Sequence, residues 1–379
     1  MRRFFISLRE YFRLLDKTLL FLSVFASIYG LVLIYTAAFS YNTLDYVRTQ
    51  ALALGIGLVC FLVLSPLDTE DIGRFWPLLL ALNLAFLSTL YFWGVGESNH
   101  SWLRFGGIGI QPAELGKPIF MLTFSRHLAL AQKKGMRFRD LIGLALHAGA
   151  VIAFVLLFSR DDGMSLAYAC IALSMAFASG AGLAYFLAMA CALGALAPYL
   201  WTDVLDLYQR ERILAVFQPE AYPDNAYQAA HSRMAIRAGG MLGEGFLSGT
   251  QTQHSLIPTK HTDSIFPVAC EEFGLVGAVL LILLLVLILA RVMHTLRAAP
   301  RSADRLLLVG IAAMLAFQTI LNLGMNLGVF PIVGLTLPYF SYGGSSLVTM
   351  FVCAGLAGAV RRQNLLSVSK KDFYIRRYP

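Results

Sequence analysis

The sequence predicts an all-α, polytopic integral membrane protein with ten transmembrane helices. Hydrophobic residues make up 58% of the 379-residue chain and charged residues only 14%, whereas a typical soluble domain is about 25% charged. The mean hydropathy is +0.68. The apolar residues are gathered into stretches of roughly 20, the length that spans the hydrocarbon core of a bilayer. We therefore expect a single membrane domain over residues 1–379.

The first expected span, 18–39, follows a polar and basic segment, 1–17. It is too long for a signal peptide and lacks a clear cleavage site, so we interpret it as a retained helix. The large polar loop 201–267 separates the seventh and eighth spans, and a basic tail occupies residues 361–379. The remaining spans are expected at approximately 48–67, 74–94, 112–132, 140–158, 163–179, 181–200, 268–293, 303–326 and 342–360.

The distribution of charge predicts the orientation. Lys and Arg are more than twice as frequent in the segments on the side of the N-terminus as in those on the other side. By the positive-inside rule, both termini are cytoplasmic and the loop 201–267 lies outside. The net charge of +8 therefore reflects topology and does not indicate nucleic-acid binding. The five cysteines lie in apolar stretches without paired Cys or His spacing, which favours small buried hydrophobes over disulfides or a metal site.

The polar run 257–266 ends the outer loop and carries the most prominent carboxylate, Asp263. It leads directly into an apolar span that begins with the pair Glu271 and Glu272. From chemistry alone, Thr262 or Asp263 could equally be a helix N-cap. We expect one carboxylate of the glutamate pair to face the bundle interior and the other to lie closer to a neighbouring span. A purely structural role, hydrogen bonding between helices, explains the pair equally simply.

Other ionisable residues at membrane depth are functional candidates by default, because burying charge there is costly. Glu114 and Lys117 share one helix face, where they could simply form an ion pair. Arg48 could reach the surface by snorkelling. Asp161 and Asp162 could belong to a solvated loop.

An uncharged segment, 334–346, is rich in Gly, Pro and hydroxyl residues, which predicts a tight re-entrant loop lining a polar cavity. Gly343 and Gly344 precede a helix and could offer N–H groups to an anion. A helix entry capped by Ser345 or Ser346 explains the same pattern. Taken without any resemblance, these features fit the handling of an amphiphilic anion but do not distinguish an enzyme from a transporter.

The same residues resemble the SEDS family, the RodA and FtsW proteins of bacteria, over nearly the whole chain. The run SYGGSS at 341–346 matches a family signature, and NLGMNLG at 322–328 matches the segment before it. SWLR at 101–104 with QPAELGK at 111–117, YQR at 208–210 with Arg212, and HTD at 261–263 with Glu271 and Glu272 match further family elements in the same order.

This resemblance implies a ten-helix peptidoglycan glycosyltransferase that polymerises lipid II onto an undecaprenyl-linked glycan chain. It implies Asp263 as the catalytic residue and a class B penicillin-binding protein as the crosslinking partner in the bacterial cytoplasmic membrane. A divalent cation, Mg²⁺ or Mn²⁺, bridging the pyrophosphate is compatible with it. The matching positions expected to bind substrate are Arg48, Glu114, Lys117, Asp161, Arg210, Arg212, Ser341, Gly343, Gly344 and Ser345.

The chain departs from the family pattern close to Asp263. Lys260 stands where the family has an acid, and Ser264 where it has Phe. The QPDLGT element is altered to SRDDGM at 159–164, which leaves open whether Asp161 or Asp162 takes its place. A neighbouring Lys260 is expected to favour the ionised form of Asp263.

Three functions remain distinct hypotheses: a polymerase, a flippase for the lipid-linked precursor, and a scaffold that recruits the crosslinking enzyme. A flippase would be expected to show internal repeats, discontinuous helices and key charges at the midplane. The sequence shows no repeat, and its sharpest charged cluster lies at the outer surface. Within the polymerases, GTQTQ at 249–253 and the short N-terminal segment favour the elongation-type RodA branch. LTLP at 335–338 leans towards the division-type FtsW branch.

Overall fold

The computed structural model describes residues 12–96, 100–105 and 108–377, and this part of the chain forms a helical bundle with one short hairpin. The hairpin pairs β1 (Leu103–Phe105) with β2 (Ile108–Ile110). The helices are α1 Lys17–Phe39, α2 Asp45–Leu64, α3 Thr69–Gly73, α4 Trp76–Trp93, α5 Pro112–Lys133, α6 Phe138–Phe154, α7 Asp162–Ala178, α8 Leu183–Tyr199, α9 Leu207–Phe217, α10 Pro223–Ala238, α11 Thr250–Gln253, α12 Ile265–Ala298, α13 Ser302–Asn326 and α14 Gly344–Arg377.

The ten predicted spans correspond to α1, α2, α4, α5, α6, α7, α8, α12, α13 and α14, so the prediction of a polytopic all-α protein is confirmed. Within the described residues, eight of these helices are long and apolar enough to cross a membrane, and α7 is apolar but shorter. The chain is thus a multi-pass membrane protein. The remaining helix, α5, is polar for a span because it contains charged residues, but most of its length is buried among its neighbours.

The core of the bundle lies around α5 and α14. Helix α14 packs along α2 and also contacts α5, while α12 packs along α1 and α13. Gly57 allows the close approach of α2 to α14, because a Cβ there would lie 2.8 Å from the Phe351 ring. Helix α8 differs from the others, since none of the residues in its apolar window is buried within the chain.

Helix α12 is broken at Gly274, and part of the outer loop packs into the break. Gly274 has φ 64° and ψ −159°, a backbone conformation that is essentially restricted to glycine. The backbone N–H groups of Glu244 and Gly245 donate to the carbonyls of Glu271 and Glu272, and the N–H of Leu275 donates to the carbonyl of Gly240. The break is therefore satisfied by the loop, which ties the loop to the membrane helix.

The structure differs from the sequence expectations in the outer loop and at the end of the last span. The outer loop is largely helical, containing α9, α10 and α11, because its polar sequence includes helix starts such as Asp206 and Pro223. The last span does not end near residue 360 but continues as one helix to Arg377. Residues 361–377 contain no Gly or Pro that would end the helix earlier.

Candidate active site

The segments 341–346 and 322–328 hydrogen-bond to the backbone of each residue of the run 261–263. The backbone N–H of Tyr342 donates to the carbonyl of His261 at 2.8 Å, and the Ser341 hydroxyl donates to the carbonyl of Thr262 at 2.5 Å. The side-chain amides of Asn322 and Asn326 both donate to the carbonyl of Asp263 at 2.9 Å. Three consecutive carbonyls are thus held, and the Asp263 side chain is presented from a rigid segment.

The carboxylate of Asp263 is partly buried and is not used to stabilise the fold. Within the described residues it accepts no hydrogen bond, although it lies close to Gly334, where a Cβ would be 3.8 Å from Oδ2. Ser264 occupies the N-cap position of α12, without a side-chain capping bond, so the interpretation of Asp263 as a helix cap was wrong. Ser264 instead accepts a hydrogen bond from the Gln228 side chain at 3.0 Å.

The electrostatic surroundings of Asp263 suit a proton acceptor. Its pKa is raised to about 6, mainly by desolvation and also by the charge of Asp161, while the guanidinium of Arg212 opposes both effects. At neutral pH the carboxylate is therefore mostly ionised and yet closer in pKa to the working pH than an exposed aspartate. A general base benefits from this match.

Asp161 and Asp162 have different environments, which answers the question that the sequence left open. Asp161 is buried and caps α7 by accepting from the Met164 N–H at 2.9 Å. Burial raises its pKa to about 6, and the charges of Glu114 and Asp162 act in the same direction. Asp162 binds the Gln209 side chain on the exposed side. Asp161 is therefore the residue whose charge reaches Asp263.

The three arginines expected to bind substrate lie in different surroundings. Arg212 donates to the carbonyl of Ile332 at 3.3 Å and to the Tyr208 hydroxyl at 2.6 Å, and its charge lowers the pKa of Asp263. Arg210 donates to the carbonyls of Leu205 and Thr202 and so closes the turn after α8. Arg48 is largely exposed and pairs with Asp45 at 3.6 Å. Of the three, Arg212 is the cation that bears on Asp263.

Sequence reasoning missed Arg233 and the two asparagines. Arg233 lines a small cavity together with Arg212, and it makes no hydrogen bond or ion pair among the described residues. Asn322 and Asn326 are four residues apart on one face of α13, and both are buried. That spacing of amides at membrane depth was a signal for a shared polar partner.

The sequence predicts that Lys260 favours the ionised form of Asp263, but the charges that shift the pKa of Asp263 are those of Asp161 and Arg212. The ammonium is fully buried and donates to the carbonyl of Thr252 at 2.6 Å and to the hydroxyls of Ser255 and Ser40. Desolvation lowers its pKa to about 8 despite the nearby Glu272 and Glu271. Lys260 therefore links the outer loop to the end of α1.

This linkage predicts the effect of replacing Lys260 with methionine. The Lys260→Met change removes the hydrogen bonds that the ammonium donates to the Thr252 carbonyl and to the hydroxyls of Ser255 and Ser40, a loss of roughly 1–3 kcal/mol. We expect a lower melting temperature for the purified full-length protein. The exposed Lys134 is the matched control, and Lys134→Met should melt with the unchanged protein. Equal melting of the two variants would refute the linkage.

Glu271 and Glu272 are both buried and bind the outer loop. Glu272 also interacts with Thr36 of the neighbouring span α1, as the sequence predicts for one member of the pair. Glu271 accepts from the N–H groups of Gln251 and Thr252 at 2.6 and 2.9 Å. Glu272 accepts from the Leu247 N–H at 3.1 Å and the Gln253 amide at 2.8 Å. The loop folds over this end of α12, so both carboxylates meet it although they lie on different sides of the helix.

Glu114 and Lys117 form a buried ion pair on α5, with 2.8 Å between the charged atoms. The structure places this pair inside the bundle and out of contact with solvent. Neither Glu114 Oε2 nor Lys117 Nζ has a hydrogen-bond partner with suitable geometry. The pair reaches the site through charge, since Glu114 acts on Asp161.

The SYGGSS segment is held mainly by side chains from other helices. The Gly343 N–H donates to Gln50 Oε1 at 3.0 Å, and the Gln50 amide donates to the carbonyl of Ser341 at 3.0 Å. The Ser345 hydroxyl accepts the Gln111 N–H at 2.9 Å. Gly343 thus has its N–H occupied, and Gly344 begins α14 beside Ala53. These contacts hold the SYGGSS segment in place, and this segment in turn binds the backbone of the run 261–263.

A divalent cation would find few protein ligands here. The described residues contain no group of three or more His, Cys, Asp and Glu side chains able to hold a metal. Asp161 and Asp263 are near enough to influence each other, and one or two carboxylates with substrate phosphates can suffice for Mg²⁺. The donor set therefore fits only an ion that arrives with a phosphate-bearing substrate, where it would offset phosphate charge.

Comparisons with known proteins agree with the fold. The family model FtsW/RodA/SpoVE, described as cell cycle protein, matches residues 17–365. The peptidoglycan glycosyltransferase MrdB of Escherichia coli K12 is 29% identical over 94% of this chain and 96% of its own. A probable peptidoglycan glycosyltransferase FtsW of Geobacter sp. M18 is 30% identical, covering 90% and 95%.

Two solved structures extend the likeness to the whole bundle. One, described as structural coordination of polymerization and crosslinking by a peptidoglycan synthase complex, has a TM-score of 0.78 and 32% identity, and the alignment covers 92% of this chain and 98% of that one. The rod shape determining protein RodA of Thermus thermophilus has a TM-score of 0.68 and 29% identity, with coverage of 92% and 97%.

Proposed function

The chain belongs to the FtsW/RodA/SpoVE family of cell cycle proteins, and on that basis we propose that it is a peptidoglycan glycosyltransferase that polymerises lipid II. The observation that carries this proposal is the carboxylate of Asp263. It is held on a fixed backbone, accepts no hydrogen bond from the described residues, and has its pKa raised to about 6 by desolvation. The names of the relatives MrdB and FtsW support the same activity.

In the proposed reaction Asp263 acts as the general base. The 4-hydroxyl of the GlcNAc unit of an acceptor lipid II attacks the anomeric carbon of the terminal MurNAc of the growing chain. The hydroxyl proton passes to Asp263 as the new C–O bond forms. The bond to the pyrophosphate breaks, undecaprenyl pyrophosphate leaves, and the anomeric centre inverts.

Neutralising the departing pyrophosphate is the second requirement of this chemistry. We assign this task first to Arg212, whose charge lowers the pKa of Asp263, and to Arg233, which lines the same small cavity. Arg48 is exposed and free to meet substrate at the surface. Glu114, Lys117 and Arg210 act by supporting the site, because their side chains are committed to contacts within the protein.

The pH dependence of polymerisation should report the charge of Asp161. Activity is lost as pH falls through the pKa of Asp263, because the protonated carboxyl cannot accept the proton. Asp161→Asn removes a negative charge that raises this pKa, so the acid limb of the rate profile should move to lower pH. Asp162→Asn, at the exposed neighbour, is the control and should leave the limb in place. A limb that stays fixed in Asp161→Asn would contradict the coupling.

The setting of the enzyme follows from the same proposal. We place the protein in the bacterial cytoplasmic membrane, with both termini cytoplasmic and Asp263 at the outer face. We also propose a class B penicillin-binding protein as its crosslinking partner. Support comes from the similar structure described as a peptidoglycan synthase complex of polymerization and crosslinking.

Within the family we favour the elongation-type RodA branch over the division-type FtsW branch. The run GTQTQ at 249–253 supports this choice, and in the structure it is the segment that Glu271 and Glu272 hold. Depletion in the native bacterium tests it: round cells indicate elongation, and filaments indicate division.

Labelled lipid II in vesicles containing the protein and its activating partner tests the activity itself. Glycan strands are the expected product. Movement of lipid II across the bilayer without strands would instead indicate a flippase. If neither strands nor movement were observed, the protein would be a scaffold.

A further inference from the structure

We infer that the end of the bundle opposite Asp263 carries a binding site for a phosphate group, in a cavity between α3, α5 and α13. The cavity has a volume of about 270 Å³ and is lined by Arg126, Lys133 and Arg301, among others. Asn322 and Asn326, which hold Asp263, lie at the other end of α13. A helix of 25 residues is about 37 Å long, so the two sites are separate.

The carboxylates at this cavity make their short contacts with only one of the three cations, Arg301. Arg301 donates to Asp304 at 2.5 Å, to Asp68 at 2.8 Å and to Glu70 at 3.1 Å. The second oxygen of Asp304 accepts the Thr69 hydroxyl at 2.6 Å. Arg301 and its acidic partners thus form a closed network that ties α13 to the segment before α4.

Arg126 and Lys133, the other two cations of the cavity, make no hydrogen bond to this network. The Arg126 side chain is only 21% exposed, and its nearest carboxylate oxygen, on Glu70, lies 3.9 Å away. Among the described residues its guanidinium donates no hydrogen bond, and Lys133 at the rim has neither a hydrogen bond nor an ion pair. A largely buried guanidinium without acceptors is costly, which indicates that an acceptor is missing.

A phosphate group matches what these two side chains lack. Guanidinium donors bind phosphate oxygens in a bidentate manner, and an ammonium adds a compact second charge. A single water requires about 10–15 Å³ of such volume, so the cavity is much larger than a water site. Basic pockets between transmembrane helices on the cytoplasmic side bind the head groups of anionic lipids. With the proposed orientation this cavity faces the cytoplasm.

Two sources carry this chemistry, an anionic lipid head group and free phosphate, and the melting temperature of the full-length protein in neutral detergent separates them. We expect phosphatidylglycerol to raise the melting temperature. Phosphatidylcholine, whose phosphate is offset by choline, should not. If inorganic phosphate also raises it, a free phosphate suffices; if only phosphatidylglycerol does, the ligand is a lipid. An equal response to both lipids, or none to any probe, would overturn the inference.

A matched pair of variants locates the site. Arg126→Gln combined with Lys133→Gln should weaken phosphatidylglycerol binding by about tenfold or more, since both charge-assisted contacts are removed. Lys134→Gln, at an exposed lysine outside the cavity lining, should bind as the unchanged protein does. If the double variant does not fold, the unchanged protein still tests the site, because added salt should weaken a phosphate contact at the cavity. Unaltered binding in the folded double variant or in high salt would refute it.

Discussion

Asp263→Asn is expected to lower lipid II polymerisation by about 10²–10⁴-fold, the usual contribution of a positioned general base. Asparagine matches the shape of aspartate but cannot accept the proton of the attacking hydroxyl. The change removes no hydrogen bond of the fold, because within the described residues the carboxylate accepts none and the Asn322 and Asn326 contacts are to the backbone. Folding should therefore be preserved, which the melting temperature checks.

The control for this variant is Asp162→Asn, which changes an exposed carboxylate close in sequence to the site. It should retain polymerisation near that of the unchanged protein, because Asp162 contacts Gln209 away from Asp263. If Asp263→Asn polymerised lipid II as fast as the control does, Asp263 would not be the general base.

Gly274→Ala is expected to destabilise the protein and to release the outer loop from α12. A Cβ at Gly274 would lie 2.4 Å from the Gly243 nitrogen, and the backbone has a positive φ. Holding a non-glycine residue in this region costs roughly 1–3 kcal/mol before any clash is counted. The loop that carries Asp263 is tied through this break, so polymerisation should fall together with the melting temperature.

Gly55→Ala is the matched control, because nothing lies within 4 Å of a Cβ at that position of α2. Alanine in an exposed helix is favoured over glycine by about 1 kcal/mol, so this variant should melt no lower than the unchanged protein. Equal melting of the two variants would show that the break in α12 does not depend on Gly274.

Much of the fold could be predicted because spans depend on local composition. Stretches of about 20 apolar residues located the helices, and the family motifs singled out Asp263. The polar α5 was included on the strength of its position and motif, although its composition alone does not qualify it as a span.

The parts that could not be predicted depend on contacts between distant segments. The side-chain direction of Lys260 follows from Thr252, Ser255 and Ser40 around it, none of which its sequence neighbours reveal. The break at Gly274 exists because a loop some 30 residues earlier fills it. Likewise, the roles of Asn322 and Asn326 appear only when α13 is placed beside the run 261–263.

The pH dependence of the rate at saturating substrate tests whether Asp263 is the base of lipid II polymerisation. The preparation is the partner-activated protein, measured between about pH 5 and pH 8. We expect a plateau near neutral pH and a fall in rate of about tenfold per pH unit below the Asp263 pKa of about 6. The small residual rate of Asp263→Asn should lack this limb. A rate for the unchanged protein that stays constant through this range, or an identical limb in Asp263→Asn, would contradict the assignment.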